Sequence, residues 1–153
     1  MNPVIQSYLA KHRALFLDEL KAFIRFPSVS AQPRHRDDVR RCAAWLARHF
    51  RSIGLEARLH SGRGHPLVVA RSRARADRPT ILIYGHYDVQ PPEPLDQWTT
   101  PPFEPVVRGG RLYARGASDN KGQHFAHVKA VECFLRSGIP LPVNVIFVIE
   151  GEE

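Results

Sequence analysis

Apolar residues recur three and four apart through the first part of the chain. Val4, Ile5, Tyr8, Leu9, Phe16, Leu20, Phe23 and Ile24 form one stripe, which predicts an amphipathic helix over 4–26. Phe26-Pro27 ends it, because the residue before a proline is driven out of the helical region. A second stripe, Val39, Cys42, Ala43, Leu46, Phe50 and Ile53, predicts a helix that begins near Asp37-Asp38 and is capped by Gly54. Shorter patterns follow. Residues 55–60 alternate weakly and 67–70 are apolar, so both read as strands around the turn 61–66. Ile81 to Tyr84 reads as a buried strand broken by Gly85. Val106 to Tyr113 reads as a hairpin turning at Gly109-Gly110. A helix is predicted from about Gln123 to Ser137, ended by Gly138 and Pro140. The almost wholly apolar run Val143 to Ile149 reads as a buried parallel strand. Helices alternating with buried strands predict an α/β fold with a mostly parallel central sheet flanked by helices.

Between the Ile81 strand and the hairpin lies PPEPLDQWTTPPFEP, residues 91–105. Proline removes backbone donors, so this passage cannot be regular helix or sheet, and Trp98 and Phe103 are expected to anchor it. No internal repeat or domain boundary is visible. The 153 residues suffice for one core, and 43% hydrophobic with 24% charged residues is ordinary for a globular protein. No apolar run approaches the roughly 20 residues that span a bilayer, and the N-terminus does not read as a secretory signal. The net charge of +7 comes largely from scattered arginines without a dense stripe or interleaved aromatics. That pattern reads as a solvated basic surface, so neither a nucleic-acid nor a membrane partner is expected. Cys42 and Cys133 lie among apolar residues and read as reduced core thiols, which points to a cytoplasmic setting.

The candidate chemistry sits at the ends of these elements. His86 and Asp88 follow the Ile81 strand, Asp119 lies in the loop SDNKG, and Glu150, Glu152 and Glu153 follow the last strand. In open α/β sheets, ligands bind beyond the carboxyl ends of strands. Imidazole with carboxylates suits zinc, and also manganese or cobalt. A carboxylate shared by two cations holds them about 3.5–4 Å apart, the spacing of two-metal hydrolytic sites. Each motif alone has a plainer reading. A His after a strand is commonly a hydrogen-bonded loop residue, SDNKG also suits a helix cap, and a terminal acidic run is commonly solvated.

Taken together, GHYDVQP (85–91), QWTTPPFEP (97–105), RGASDNKG (115–122) and EGEE (150–153) resemble the M20 metallopeptidases. The likeness is to the dipeptidase branch, with its carnosinases and cytosolic nonspecific dipeptidases, and PSVS at 27–30 resembles a further signature. The resemblance implies that His86 ligates one metal and Asp88 orients its imidazole. It implies that Asp119 bridges two metals and that the Asp119–Asn120 peptide is cis. In the EGxEE register Glu153 is the general base; the alternative register makes Glu152 the base and Glu153 a ligand. The implied activity is zinc-dependent hydrolysis of the amide bond of dipeptides or short peptides through a metal-bridging water. Two Zn2+ per site are implied for the complete protein, with Mn2+ or Co2+ as substitutes, and a homodimer is implied for the full-length parent. Residues 1–153 would be the N-terminal portion of the catalytic domain, without the lid and dimerisation domain, and inactive alone. An N-acyl-amino-acid deacylase of the same family is the alternative, and a non-catalytic basic interaction module is a third reading. Lys121 is expected to support the Asp119 loop, His124 and His127 to flank a packed helix, and Arg115 is a candidate partner for a site carboxylate.

Overall fold

The computed structural model describes residues 2–153. Helix α1, Pro3–Ile24, opens with the Asn2 side chain accepting from the Val4 amide at 2.9 Å and Pro3 in its first turn. Helix α2, Arg36–Ser52, carries Asp37 and Asp38 in its first turn. Strands β1 (Glu56–His60), β2 (Leu67–Arg71) and β3 (Thr80–His86) follow. The short hairpin β4 (Val106–Arg108) and β5 (Arg111–Tyr113) turns at Gly109-Gly110, both at positive φ as such a turn requires. Helix α3, Lys121–Arg136, and strand β6, Asn144–Glu150, complete the fold. Among the described residues, no helix is long and apolar enough to cross a membrane.

The main sheet has the order β1-β2-β6-β3. The α/β architecture matches the sequence reading, but the expected mostly parallel sheet is a mixed one. Only β3–β6 is parallel, while β1–β2 and β2–β6 are antiparallel. The turn after β1 is too short for a crossover, so β2 must return antiparallel. The strand read as buried, Ile81 to Tyr84, is instead an edge strand, with Leu82 63% and Tyr84 57% exposed. Gly85 does not break it. The strand runs through to His86, and glycine is needed because a Cβ there would lie 2.6 Å from the Asn120 side-chain oxygen. β6 is central, yet its burial alternates, so only one face of the sheet is fully covered. That face carries Val68, Ala70, Val145, Phe147 and Ile149, packed with Phe50, Leu46 and Phe125 from the helices.

Two buried lysines tie the helical layer together. Lys129 on α3 reaches Glu19 of α1 at 2.5 Å, His49 of α2 at 2.9 Å and its own helix's Glu132 at 2.7 Å. Its ammonium also lies over the rings of Phe16 and Phe125. Lys121, fully buried, donates to the carbonyls of Phe23 and Phe26 at 3.2 and 2.8 Å. Its ammonium therefore holds the end of α1 rather than a carboxylate of the Asp119 loop, and burial lowers its pKa. Cys42 and Cys133 are free and buried, as expected, and burial raises both thiol pKa values.

Replacing Lys129 with Ala strands the buried Glu132 carboxylate and should cost about 3–5 kcal/mol in a urea titration. A second expectation concerns acid. Burial, then the charge of Lys129, lowers the pKa of His49 from 6.5 to about 3. Unfolded His49 therefore takes a proton below pH 6.5 while the folded form stays neutral, and stability falls as pH drops from 6.5 towards 3. His49→Gln keeps an acceptor for Lys129, so the variant should lose roughly 1–2 kcal/mol less than the parent between pH 7 and 5.

Candidate metal centre

The parallel pairing of β3 with β6 sets His86 opposite Glu150, so both strands end at the same edge of the sheet. The His86 ring is almost fully buried there. Its Nδ1 lies 3.2 Å from Asp88 Oδ1 and 3.2 Å from the Asp88 carbonyl oxygen, which assigns that nitrogen the proton. Asp88 is itself buried, and its other oxygen accepts from Ser30 Oγ at 2.5 Å. Sequence reasoning marked PSVS only as a signature. Its physical roles are that Ser30 holds Asp88 and Ser28 donates to the Tyr87 carbonyl at 2.7 Å.

With Nδ1 engaged, the Nε2 lone pair of His86 faces Asp119 Oδ1 at 3.2 Å and Glu153 Oε2 at 3.3 Å. One donor atom from each of these three residues lies within 4.8 Å of the others. A lone pair and two carboxylates repel one another unless a positive charge, a proton or a metal ion, sits among them. One imidazole and two carboxylates form a donor set for a divalent ion with positions left open. Asp119 and Glu153 are largely exposed at the mouth, while His86 and Asp88 form the buried floor.

The neighbouring acids lie elsewhere. Glu152 accepts from the His65 amide at 3.1 Å, away from His86. Glu150 accepts from the Tyr84 hydroxyl, and this bond pushes the phenol pKa up to about 12. The Asp119–Asn120 peptide is cis, as the resemblance implied. The sequence marked Asn120 only in the expected cis peptide and as a possible helix cap, not for its contacts. Its side-chain oxygen accepts from the His86 amide at 3.3 Å and bonds His124 Nδ1 at 3.2 Å, joining the loop to β3. His124 packs edge-on to Phe23 and is kept neutral by burial, which lowers its pKa to about 3. His127 is exposed, and neither histidine joins the donor set. Arg115 pairs with no site carboxylate. It donates to the Pro91 carbonyl at 3.1 Å and lies over Trp98, which anchors the proline-rich passage through its own bond to Pro92. A second group of possible ligands, Glu19, His49 and Glu132, is already bonded to Lys129.

Tyr87, between His86 and Asp88, is fully buried and was missed in the sequence. Its hydroxyl donates to the Pro66 carbonyl at 2.6 Å, and its ring packs so close to Gly151 that a Cβ there would overlap the phenol. It thereby fixes where the chain leaves β6 towards Glu153.

Residues 82–153 match the model of peptidase family M20/M25/M40. Beta-Ala-His dipeptidase of Rattus norvegicus is 34% identical over 95% of this chain and 32% of that protein. Succinyl-diaminopimelate desuccinylase of Delftia acidovorans is 44% identical over 73% of this chain and 30% of that protein. The crystal structure of human carnosine dipeptidase 1 superposes with a TM-score of 0.87 at 35% identity, covering 97% of this chain and 34% of that one. The chain thus spans about a third of the length of these relatives.

Gly151→Ala should destabilise the fold by about 1–3 kcal/mol through overpacking against Tyr87. Tyr87→Ala/Gly151→Ala should recover part of the Gly151→Ala penalty relative to Tyr87→Ala alone, as read in a double-mutant cycle of thermal unfolding.

Proposed function

The chain belongs to peptidase family M20/M25/M40, and from that premise we propose that it supplies metal ligands and the general base for hydrolysis of the amide bond of dipeptides or short peptides. The convergence of His86, Asp119 and Glu153 on one point carries this reading. The donor set fits zinc, and manganese or cobalt would find the same donors acceptable. When bound, such an ion polarises a carbonyl and lowers the pKa of water.

The chain's own residues have distinct tasks. His86 offers Nε2, and the pair Ser30–Asp88 fixes its ring and tautomer from behind. Asp119 offers a carboxylate with two oxygens at the mouth, a group able to serve two cations. Glu153, beside it, takes a proton from the attacking water and returns it to the leaving amine. The separate engagement of Glu152 with the His65 amide favours Glu153 as this base. A second reading, removal of an N-acyl group from an amino acid, has support in the likeness to the desuccinylase of Delftia acidovorans.

Calorimetric titration with zinc tests the centre in the 153-residue chain. His86→Ala or Asp119→Ala should abolish measurable binding, Asp88→Asn should weaken it roughly 10–100-fold, and Glu153→Gln should leave it within several-fold. Loss with Glu153→Gln equal to that with His86→Ala would make Glu153 a ligand instead. With His86 and Asp119 as its ligands and Glu153 kept as base, the chain alone should show no appreciable dipeptide turnover. Turnover is to be read in a chimera carrying this chain in place of the matching third of the rat dipeptidase. There, Glu153→Gln should lower kcat by about 100-fold or more with zinc retained. A folded, zinc-loaded chimera that cleaves neither dipeptides nor N-acyl amino acids would refute both readings.

A further inference from the structure

The turn after β1 and the first turns of α2 enclose a cavity of about 310 Å3 beside the metal centre. Arg36, Arg40 and Arg63 line it with His65, and Glu152 is the one carboxylate in its wall. Arg40 is partly neutralised by Asp37 at 3.5 Å, whereas Arg36 and Arg63 have no ion-pair partner among the described residues. The amides of Gly62, Arg63 and Gly64 donate to no other backbone group, and the next amide, His65, takes Glu152. Guanidinium forks and free turn amides are both donors without acceptor capacity, the combination that recognises oxyanions. The same donors repel a metal ion, and the wall offers a neutral apolar ligand little to pack against.

We infer that this cavity binds a small oxyanion of the phosphate or carboxylate class, held by Arg36, Arg63 and the turn amides. The site adjoins the metal centre through two links. His65 Nε2 lies 3.4 Å from the Ser30 carbonyl, and Ser30 holds Asp88. Glu152, in the cavity wall, immediately precedes Glu153. An oxyanion here competes with the Glu152 carboxylate for the His65 amide and so acts on the segment that carries Glu153. The inference does not depend on peptide hydrolysis at the centre.

Calorimetry on the metal-free chain at low ionic strength tests it, with inorganic phosphate and succinate as separate titrants. Saturable binding of one equivalent of at least one titrant is expected. Tighter phosphate binding identifies free phosphate as the source, and tighter succinate binding identifies a carboxylate ligand. Combined Arg36→Ala and Arg63→Ala should weaken binding by about tenfold or more, with Arg63→Lys alone in between. Arg13→Ala with Arg111→Ala removes two exposed charges elsewhere and should change affinity less than about twofold. Unchanged thermal unfolding without anion shows that the variants fold, and the wild-type titration stands even if one does not. No saturable binding of either titrant, or equal losses in the two double variants, would overturn the inference.

Discussion

The parallel pairing of β3 with β6 is the constraint on which the site depends. Register places His86 opposite Glu150, so one strand ends in an imidazole where its neighbour opens into an acidic segment. A slip by one residue would turn every side chain of β3 to the other face. The Asp119 loop then closes over this edge through Asn120, which bonds the β3 backbone at His86. Three sequence segments, 85–88, 118–120 and 150–153, meet because one strand pair and one loop bond bring them together.

What holds that edge still is largely buried and polar. Ser30 to Asp88 to His86 is a chain of hydrogen bonds leading from the loop after α1 to the ring nitrogen. Lys121, one residue after Asn120, is anchored to the carbonyls that end α1, so the same helix end steadies both the loop and the serines that follow it. Lys129 joins all three helices farther from the site. Buried charges of this kind are tolerated because every partner is present. The price is sensitivity to losing any one of them.

Much of this was legible in the sequence, and the failures have physical causes. The helices were marked by their stripes and by Pro27, Gly54 and Gly138. The candidate ligands His86 and Asp119 stood out by motif, and Glu153 was marked as a candidate base by the EGxEE register. The sheet was misread because an apolar run does not say whether both faces are covered. Ile81 to Tyr84 is apolar yet lies at an edge, and β6 is central yet alternates in burial. Gly85 was read as a breaker because glycine commonly is one. Its purpose is room for the Asn120 side chain, a contact between residues far apart in the chain. Ser30, Asn120 and Tyr87 act through such long-range hydrogen bonds and packing, which no local pattern announces.

Anomalous diffraction at the zinc edge, from crystals of the chain grown with zinc, tests the central claim most directly. The account predicts a peak about 2.0–2.2 Å from His86 Nε2 and an Asp119 oxygen, with Glu153 beside it. A peak elsewhere, whether among Glu19, His49 and Glu132 or at a surface histidine, with none at His86, would contradict it.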